Sequence, residues 1–299
     1  MLWKININHT KIMFINIFFF QKKFTTYIME DSMEILYACK EGNIEKVRSI
    51  LNNTSYNPLV YDKVDEIGDV NALHIASFLN HVEIMKLLLE DGRICPSISG
   101  LLITLGNLSP MGISSRLGHV EIVKLILKDG RFDPNEEEDL FCFTPLTWAC
   151  LDGHVEVVKV LLNDPRVDIN ATDAFSYNCL CYACSHNNYE LIEIILSNPR
   201  FDNIKINKIS LRNSYETVCS NKYIEIIKLF IVHVDSYKFE IEDSEIDRYD
   251  DTVLNVLKTF KGSEEYIRMK CKYTKDYTAG IIFHNIVLLS DDYLKIQGC

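Results

Sequence analysis

One pattern recurs along most of this chain, and it restricts the fold more than any other feature of the sequence. The stretch TPLTWACLDGHVEVVKVLLNDPRVDIN, residues 144–170, has counterparts before and after it. Aligned on the small residue at the position of Ala149, the copies are spaced by 38, 38, 35, 34 and 35 residues. The aligned residues are Ala38, Ala76, Ser114, Ala149, Ala183 and Val218. A fixed period in this range indicates stacked units, each of which buries its apolar face against its neighbours.

Each copy predicts two helices joined by a tight turn. The inner helix, as in PLTWACL, places Leu146 and Ala149 on one face and begins with Pro145, whose missing N–H costs nothing in a first turn. Residues that tolerate the left-handed conformation follow four positions after the alanine: Gly42, Asn80, Gly118, Gly153 and Asn187. The outer helix, as in HVEVVKVLLN, is amphipathic, and a DGR or DPR sequence ends it and leads into an extended segment.

These units resemble the ankyrin repeat, whose signature is T-P-L-H-x-A on an inner helix, then G-H and an amphipathic outer helix. The best copies are TPLTWA, NALHIA and SPMGIS, while NCLCYA, NSYETV and MEILYA depart further from the signature. Only His74 fills the histidine position, and Lys222 replaces the turn glycine of the last copy. The resemblance covers residues 33–235, and its style is similar to that of ankyrin-repeat proteins of protists and large DNA viruses.

The resemblance implies an all-α fold, an ankyrin-repeat solenoid of helix-turn-helix units with a helical C-terminal extension. We expect a disordered leader over residues 1–28 and about six repeats over 29–235, with degenerate units at both ends. An acidic connector over 236–251 then leads to the extension, residues 252–299. Helices predicted over 252–260 and 278–296 would cover the apolar flank of the last repeat.

The first residues of the chain leave several interpretations open. The apolar run over residues 12–20 is much shorter than the ~20 residues that a transmembrane helix needs. The alternatives are a secretory signal, a short segment that contacts a membrane surface or a partner, and a leader that precedes the true start at Met29 or Met33.

Charge and cysteine content restrict the compartment and the partner. The net charge is -11 and the pI is near 5.2, so the chain is negatively charged at neutral pH and repels phosphate backbones. We therefore expect no nucleic-acid partner and favour a basic or neutral protein partner. Ten cysteines are spread over 299 residues, and several share one repeat position, which indicates buried, reduced thiols. We therefore expect a monomer in the cytoplasm or another intracellular setting, inside the host cell if the source is viral.

Neither the histidines nor the cysteines predict a metal site. His81, His119 and His154 share one turn position in different copies, too far apart to ligate a single ion. The cluster CLCYACSH, residues 179–186, is the one zinc candidate, but the placement of its cysteines is explained by repeat packing. No phosphate-binding loop or nucleophile-and-base pattern occurs, so we expect no enzyme activity, no cofactor and no small-molecule substrate.

The resemblance implies that a protein partner binds the concave side, at the loop tips and the exposed positions of the inner helices. In the central copies these positions are apolar: Phe78, Leu79, Leu117, Phe141, Phe143, Leu151, Phe175 and Tyr177. Contiguous exposed apolar patches are typical of partner sites, and aromatic residues are frequent hot spots. Acidic residues 136–139 flank the patch and favour a partner with basic surroundings. For Phe143 and Tyr177 the alternative is that they pack the loops.

Two other roles remain alternatives to a simple protein-binding scaffold. In the first, residues 252–299 recruit a ubiquitin ligase and the repeats present its substrate. In the second, residues 1–24 anchor the scaffold to a membrane, although we expect no membrane contact as the main interpretation.

Overall fold

The computed structural model describes residues 33–53, 62–64, 67–94, 100–102, 106–138, 140–185, 187–201, 208–233 and 250–260, with a few residues between 263 and 269. The chain divides into two compact units, Met1–Pro134 and Asn135–Cys299. The predicted leader, most of the predicted connector and the helix predicted over 278–296 lie outside the described residues.

Helices of the first unit form two rows. Residues 33–40 form helix α1, and the others are α2 (Ile44–Leu51), α3 (Ala72–Phe78), α4 (Val82–Asp91), α5 (Pro110–Arg116) and α6 (Val120–Asp129). The short helices α3 and α5 contact each other, while the outer helices α2, α4 and α6 contact one another in chain order. The predicted stack of inner and outer helices is confirmed in this unit.

Short strands occupy segments that the sequence predicts only as extended. They are β1 (Asp62–Val64), β2 (Gly68–Val70), β3 (Gly100–Leu102) and β4 (Gly106–Leu108), and they form one antiparallel sheet in that order. Strands β1 and β2 form one hairpin, and β3 and β4 form a second. The two hairpins pair through β2 and β3, where Asp69 lies opposite Leu101. Successive links between helix pairs are therefore hydrogen-bonded to each other, although the fold remains predominantly helical.

The second unit repeats the two-row arrangement. Its described helices are α7 (Pro145–Leu151), α8 (Val155–Asn163), α9 (Cys179–Ala183), α10 (Tyr189–Leu196), α11 (Lys208–Ser220), α12 (Ile224–His233) and α13 (Asp251–Thr259). Helix α9 contacts α7 on one side and α11 on the other, and α10 lies between α8 and α12. The inner helix α11 is longer than its counterparts, since it begins before the predicted NSYETV segment.

Capping side chains fix where the inner helices begin. Thr144 accepts a hydrogen bond from the backbone N–H of Thr147 at 3.2 Å, and Pro145 occupies the first turn. The equivalent capping residues of helices α3, α5 and α9 are Asn71, Ser109 and Asn178. The motif that recurs in the sequence is thus a helix start, which confirms its interpretation as scaffold.

The left-handed backbone predicted at the turns between the two helices of a repeat is confirmed at Gly42, Asn80, Gly118 and Gly153, and Lys222, where the sequence departs from the repeat, has it as well. The prediction for Asn187 stays a prediction, since His186 before it lies outside the described residues. Positive φ angles occur at Gly42 (68°), Asn80 (56°), Gly118 (74°), Gly153 (74°) and Lys222 (57°). The histidine that follows such a turn binds the preceding repeat: His81 Nδ1 lies 2.9 Å from the carbonyl oxygen of Cys39, and His119 Nδ1 lies 2.8 Å from that of Ser77. The structural role predicted for these two histidines is confirmed.

Arginines that follow the outer helices α4, α6 and α10 link neighbouring repeats, a role that the sequence reasoning missed. In the first unit the Asp129 carboxylate accepts from Arg131 Nε at 2.7 Å, and Arg131 donates to the carbonyl oxygens of Leu89 (3.0 Å) and Gly92 (2.9 Å). These carbonyls end the preceding outer helix, where a cation also meets the negative end of the helix dipole. The repeated Asp-Gly-Arg sequence was the available signal, because an aspartate two residues before an arginine can hold its guanidinium in place.

The aspartates of these motifs predict a loss of stability in acid. The Arg93 guanidinium holds the pKa of Asp91 below its ordinary value, and Arg166 does the same for the pKa of Asp164. A carboxyl whose folded pKa is lowered stabilises the fold above its unfolded pKa, and that contribution disappears as the pH falls through the folded pKa. The free energy of unfolding should therefore decline below about pH 4.

Urea unfolding between neutral and acid pH would measure this effect in wild type and in the Asp91→Asn, Asp164→Asn double variant. The double variant should be less stable at pH 7 and should lose less stability on acidification, because its amides do not titrate. Parallel pH profiles of the two proteins would contradict the assignment.

The predicted C-terminal extension begins by packing on the last repeat. Helix α13 contacts α12, and its residues Val253 and Phe260 are buried. Lys228 of α12 binds Glu265 at 2.9 Å and lies 5.7 Å from the centroid of the Phe260 ring. The helix starts at Asp251, one residue before the predicted boundary, because Asp250 caps it by accepting from the N–H of Thr252.

Candidate partner-binding surface

Six aromatic rings meet at the first two loops of the second unit. Phe141 and Phe143 come from the loop before α7, Phe175 and Tyr177 come from the loop before α9, and Trp148 and Tyr182 come from the helices themselves. The centroid distances are 4.8 Å (Phe143–Trp148), 5.1 Å (Phe143–Tyr182), 5.7 Å (Phe141–Phe143 and Phe141–Phe175), 6.3 Å (Tyr177–Tyr182) and 6.4 Å (Phe175–Tyr177). We call this group the aromatic cluster.

Phe143 lies beneath the surface and supports it. Only 7% of the residue is exposed, and its ring makes edge contacts with Trp148 and Tyr182. The prediction that counted Phe143 among exposed contact residues is therefore corrected in favour of the packing alternative. Tyr177 is half-buried and joins the buried rings to the exposed ones.

Exposed apolar side chains lie on the outer side of the cluster. Phe141 is 42% exposed, Phe175 is 56% exposed, and their ring centroids are 5.7 Å apart. Leu140, which the sequence reasoning did not select, is 88% exposed beside Phe141. Its signal was the run LFCF, in which four successive apolar side chains cannot all face a core. We call Leu140, Phe141, Phe175 and Tyr177 the aromatic surface.

Asp173 holds the second loop in shape. Its carboxylate is buried and accepts from the backbone N–H groups of Phe175 and Tyr177, both at 2.8 Å, and from the phenol of Tyr182. Burial and this hydrogen bond raise the pKa of Tyr182, so the phenol remains a donor at neutral pH. The N–H of Ala174 donates to the carbonyl of Phe141 at 3.0 Å, so the two loops are tied to each other.

Both loops contain a non-glycine residue with left-handed backbone. These residues are Cys142, with φ of 56°, and Ser176, with φ of 64°. The conformation brings the loop ends together, as the Glu138–Phe143 backbone bonds of 2.8 and 3.0 Å show. Left-handed backbone costs an L-residue roughly 1–2 kcal/mol of conformational free energy, so both loops contain local backbone strain.

Two substitutions at left-handed positions should change stability in opposite directions. Cys142→Gly should raise the free energy of unfolding by up to about 1 kcal/mol, because glycine adopts this backbone without a Cβ clash. Gly153→Ala should lower it by about 1 kcal/mol through backbone strain alone, because nothing lies within 4 Å of the added Cβ. Urea unfolding of the two variants checks this, and effects of the same sign would contradict the backbone argument.

The surroundings of the aromatic surface are acidic. Residues 136–153 and 171–185, which form the two loops and helices α7 and α9, contain no lysine or arginine. The Glu137 side chain is exposed and hydrogen-bonds the Cys142 thiol, which raises the pKa of that thiol. Cys142 directly follows Phe141 in the loop. Glu136 is half-buried, Glu138 is buried, and Asp139 lies outside the described residues.

The remaining predicted contact residues are half-buried. Leu151 is half-buried at the end of α7. Phe78, Leu79 and Leu117 belong to the first unit, where they are half-buried at the ends of α3 and α5. Among the described residues of the second unit, the exposed aromatic side chains, Phe141 and Phe175, therefore lie in two loops rather than along the inner helices.

Several cysteines of the second unit are buried packing residues. Cys150, Cys179 and Cys184 are buried, and burial raises the pKa of Cys150 and Cys184. Cys181 accepts a hydrogen bond from the Ser214 hydroxyl at 3.2 Å. Within the described part of the chain no group of three or more His, Cys, Asp or Glu residues could hold a metal ion, and His186 lies outside that part.

Comparisons with known proteins agree with this geometry. The family model described as "Ankyrin repeats (3 copies)" matches residues 111–210, and the "Ankyrin repeat" model matches residues 69–100. The crystal structure of EF0377, an ankyrin repeat protein, is similar with a TM-score of 0.55 and 27% identity, covering 67% of this chain and 96% of that one.

A curated relative shows a shorter similarity. BTB/POZ domain-containing protein 3 of Schizosaccharomyces pombe is 35% identical over 72 residues. The matched region is 24% of this chain and 13% of that protein, so the chain spans only a small part of the relative's length.

Proposed function

Because this chain is an ankyrin-repeat protein, we propose that it is a non-catalytic protein-binding module whose partner docks on the aromatic surface. Ankyrin repeats are general protein–protein interaction modules, and the fold leaves the choice of partner to variable side chains. The packing of the repeats gives no reason for large apolar side chains at the exposed positions of Leu140, Phe141 and Phe175. Binding of a partner to the aromatic surface would explain them.

One observation carries the choice of surface. Two phenylalanine rings 5.7 Å apart, and the leucine that precedes one of them in the chain, are exposed on loops whose shape is fixed by Asp173 and by the Ala174–Phe141 backbone bond. Large, rigid side chains lose little conformational entropy on binding, which is why such residues commonly contribute most of the affinity at an interface. The acidic surroundings support a partner whose apolar segment is flanked by basic residues.

Affinity purification with the full chain tests this proposal. The Phe141→Ser, Phe175→Ser double variant should recover its main partner with at least about tenfold lower yield than wild type, because it removes both exposed rings. Tyr37→Ser is the matched control, since Tyr37 is an aromatic residue of the first unit with 37% exposure. Equal recovery by wild type and the double variant would show that the partner binds elsewhere.

An intracellular location is also proposed, supported by the seven cysteines of the described residues, which are all free thiols.

The ligase-adaptor and membrane-scaffold roles remain alternatives. Among the described residues no helix is both long and apolar enough to cross a membrane. The packing of α13 on α12 favours a covering role for at least the start of the extension. Loss of a co-purified cullin subunit on truncation near residue 240 would instead support the adaptor.

A further inference from the structure

The geometry of the exposed rings restricts how a partner can bind. The Phe141 and Phe175 rings are tilted by 31° at 5.7 Å, and Phe175 and Tyr177 are tilted by 38° at 6.4 Å. Rings at these distances already contact each other, so no side chain can be inserted between them. A guest must lie across their exposed faces, and aromatic faces carry partial negative charge.

The electrostatic environment adds a second restriction. Neither loop and neither adjoining inner helix supplies a lysine or arginine, while the exposed Glu137 carboxylate binds the thiol of Cys142, the residue that follows Phe141 in the chain. The whole chain has a net charge of -11. A cation of the partner could therefore bind the ring faces and a carboxylate, because these segments contain no lysine or arginine that would compete with it.

Resting on the proposed function, we infer that the aromatic surface recognises an arginine side chain next to an aliphatic one, presented by an extended segment of the partner protein. A guanidinium is planar and weakly hydrated, so it can stack on Phe141 or Phe175 while two of its N–H groups bind a carboxylate. A lysine ammonium is a strongly hydrated point charge and cannot stack. The neighbouring aliphatic side chain covers Leu140, which is 88% exposed.

The loops are preorganised for such a flat guest. The Asp173 carboxylate fixes the backbone of Phe175 and Tyr177, and the Ala174 N–H ties this loop to Phe141. Binding of an extended peptide then requires little rearrangement of the protein, so the conformational entropy lost on binding is mainly that of the peptide.

Selection of a random-peptide phage library on the immobilised full chain tests the inference. We expect enriched peptides to contain arginine beside leucine, isoleucine or valine. A synthetic copy of the best peptide should bind about fivefold more weakly when its arginine is replaced by lysine, because stacking and the paired hydrogen bonds are lost. Glu137→Gln should weaken the same peptide by about threefold, and more at low salt than at high salt.

Three outcomes separate this inference from the proposed function. If selected peptides depend on Phe141 and Phe175 but bind equally well with lysine, the arginine inference is wrong and the proposed surface stands. If the peptides bind the Phe141→Ser, Phe175→Ser variant as well as wild type, both are wrong. A selection that enriches no peptide also overturns the inference, since a preorganised surface for a short segment should capture one. Circular dichroism of each variant checks that the fold is kept.

Discussion

Replacing Phe143 by alanine is expected to lower the free energy of unfolding by about 3–5 kcal/mol, the largest effect of any substitution at the loops. The ring is 7% exposed and lies 4.8 Å from Trp148 and 5.1 Å from Tyr182, so its removal leaves a cavity between two inner helices and also abolishes two edge contacts. Urea unfolding followed by circular dichroism measures the change.

Phe143→Leu is the matched control, because it keeps most of the volume and should cost about 1–2 kcal/mol. Trp148 fluorescence in a Trp3→Phe background reports the local effect, since Trp148 packs on the missing ring. If Phe143→Ala cost less than Phe143→Leu, or left the Trp148 emission unchanged, Phe143 would not be the buried support that its contacts indicate.

Asp173→Ala should lower the free energy of unfolding by about 2–3 kcal/mol, because it leaves the amides of Phe175 and Tyr177 without their acceptor. It should also weaken binding of the selected peptide, although Asp173 does not belong to the aromatic surface. Asp173→Asn should cost less than about 1 kcal/mol, since its amide oxygen can still accept from both N–H groups.

The two variants separate geometry from charge. If Asp173→Asn were as damaging as Asp173→Ala, the negative charge of the carboxylate would be the important property, and the hydrogen-bond argument would fail. Tyr182→Phe provides a further control, because it removes only the phenol that donates to Asp173 and should cost about 1 kcal/mol.

The repeat period predicted the fold well because each copy repeats the same local physics. In one copy, Thr144 caps the inner helix, Pro145 occupies its first turn, and Gly153 allows the chain to reverse after it. Each of these roles depends on interactions between residues that are only a few positions apart. The strands were missed because pairing between hairpins such as β2 and β3 depends on contacts between repeats, which a pattern within one copy does not encode.

The proposed contact surface was predicted only in outline. Position in the repeat selected Phe141 and Phe175 correctly as exposed, but it could not separate them from Phe143, which lies two residues from Phe141 and points under the loop. The difference arises from the left-handed turn at Cys142. Leu140 was overlooked for a different reason, since the repeat signature assigns no contact role to its position.

The backbone bond between Ala174 and Phe141 has a thermodynamic consequence. The two exposed phenylalanines come from different repeats, so the surface exists only in molecules in which both repeats are folded at the same moment. A bound partner would therefore raise the population of that doubly folded state in proportion to its concentration. Hydrogen exchange at α7 and α9 should slow together when the partner is added, even at amides far from the contact.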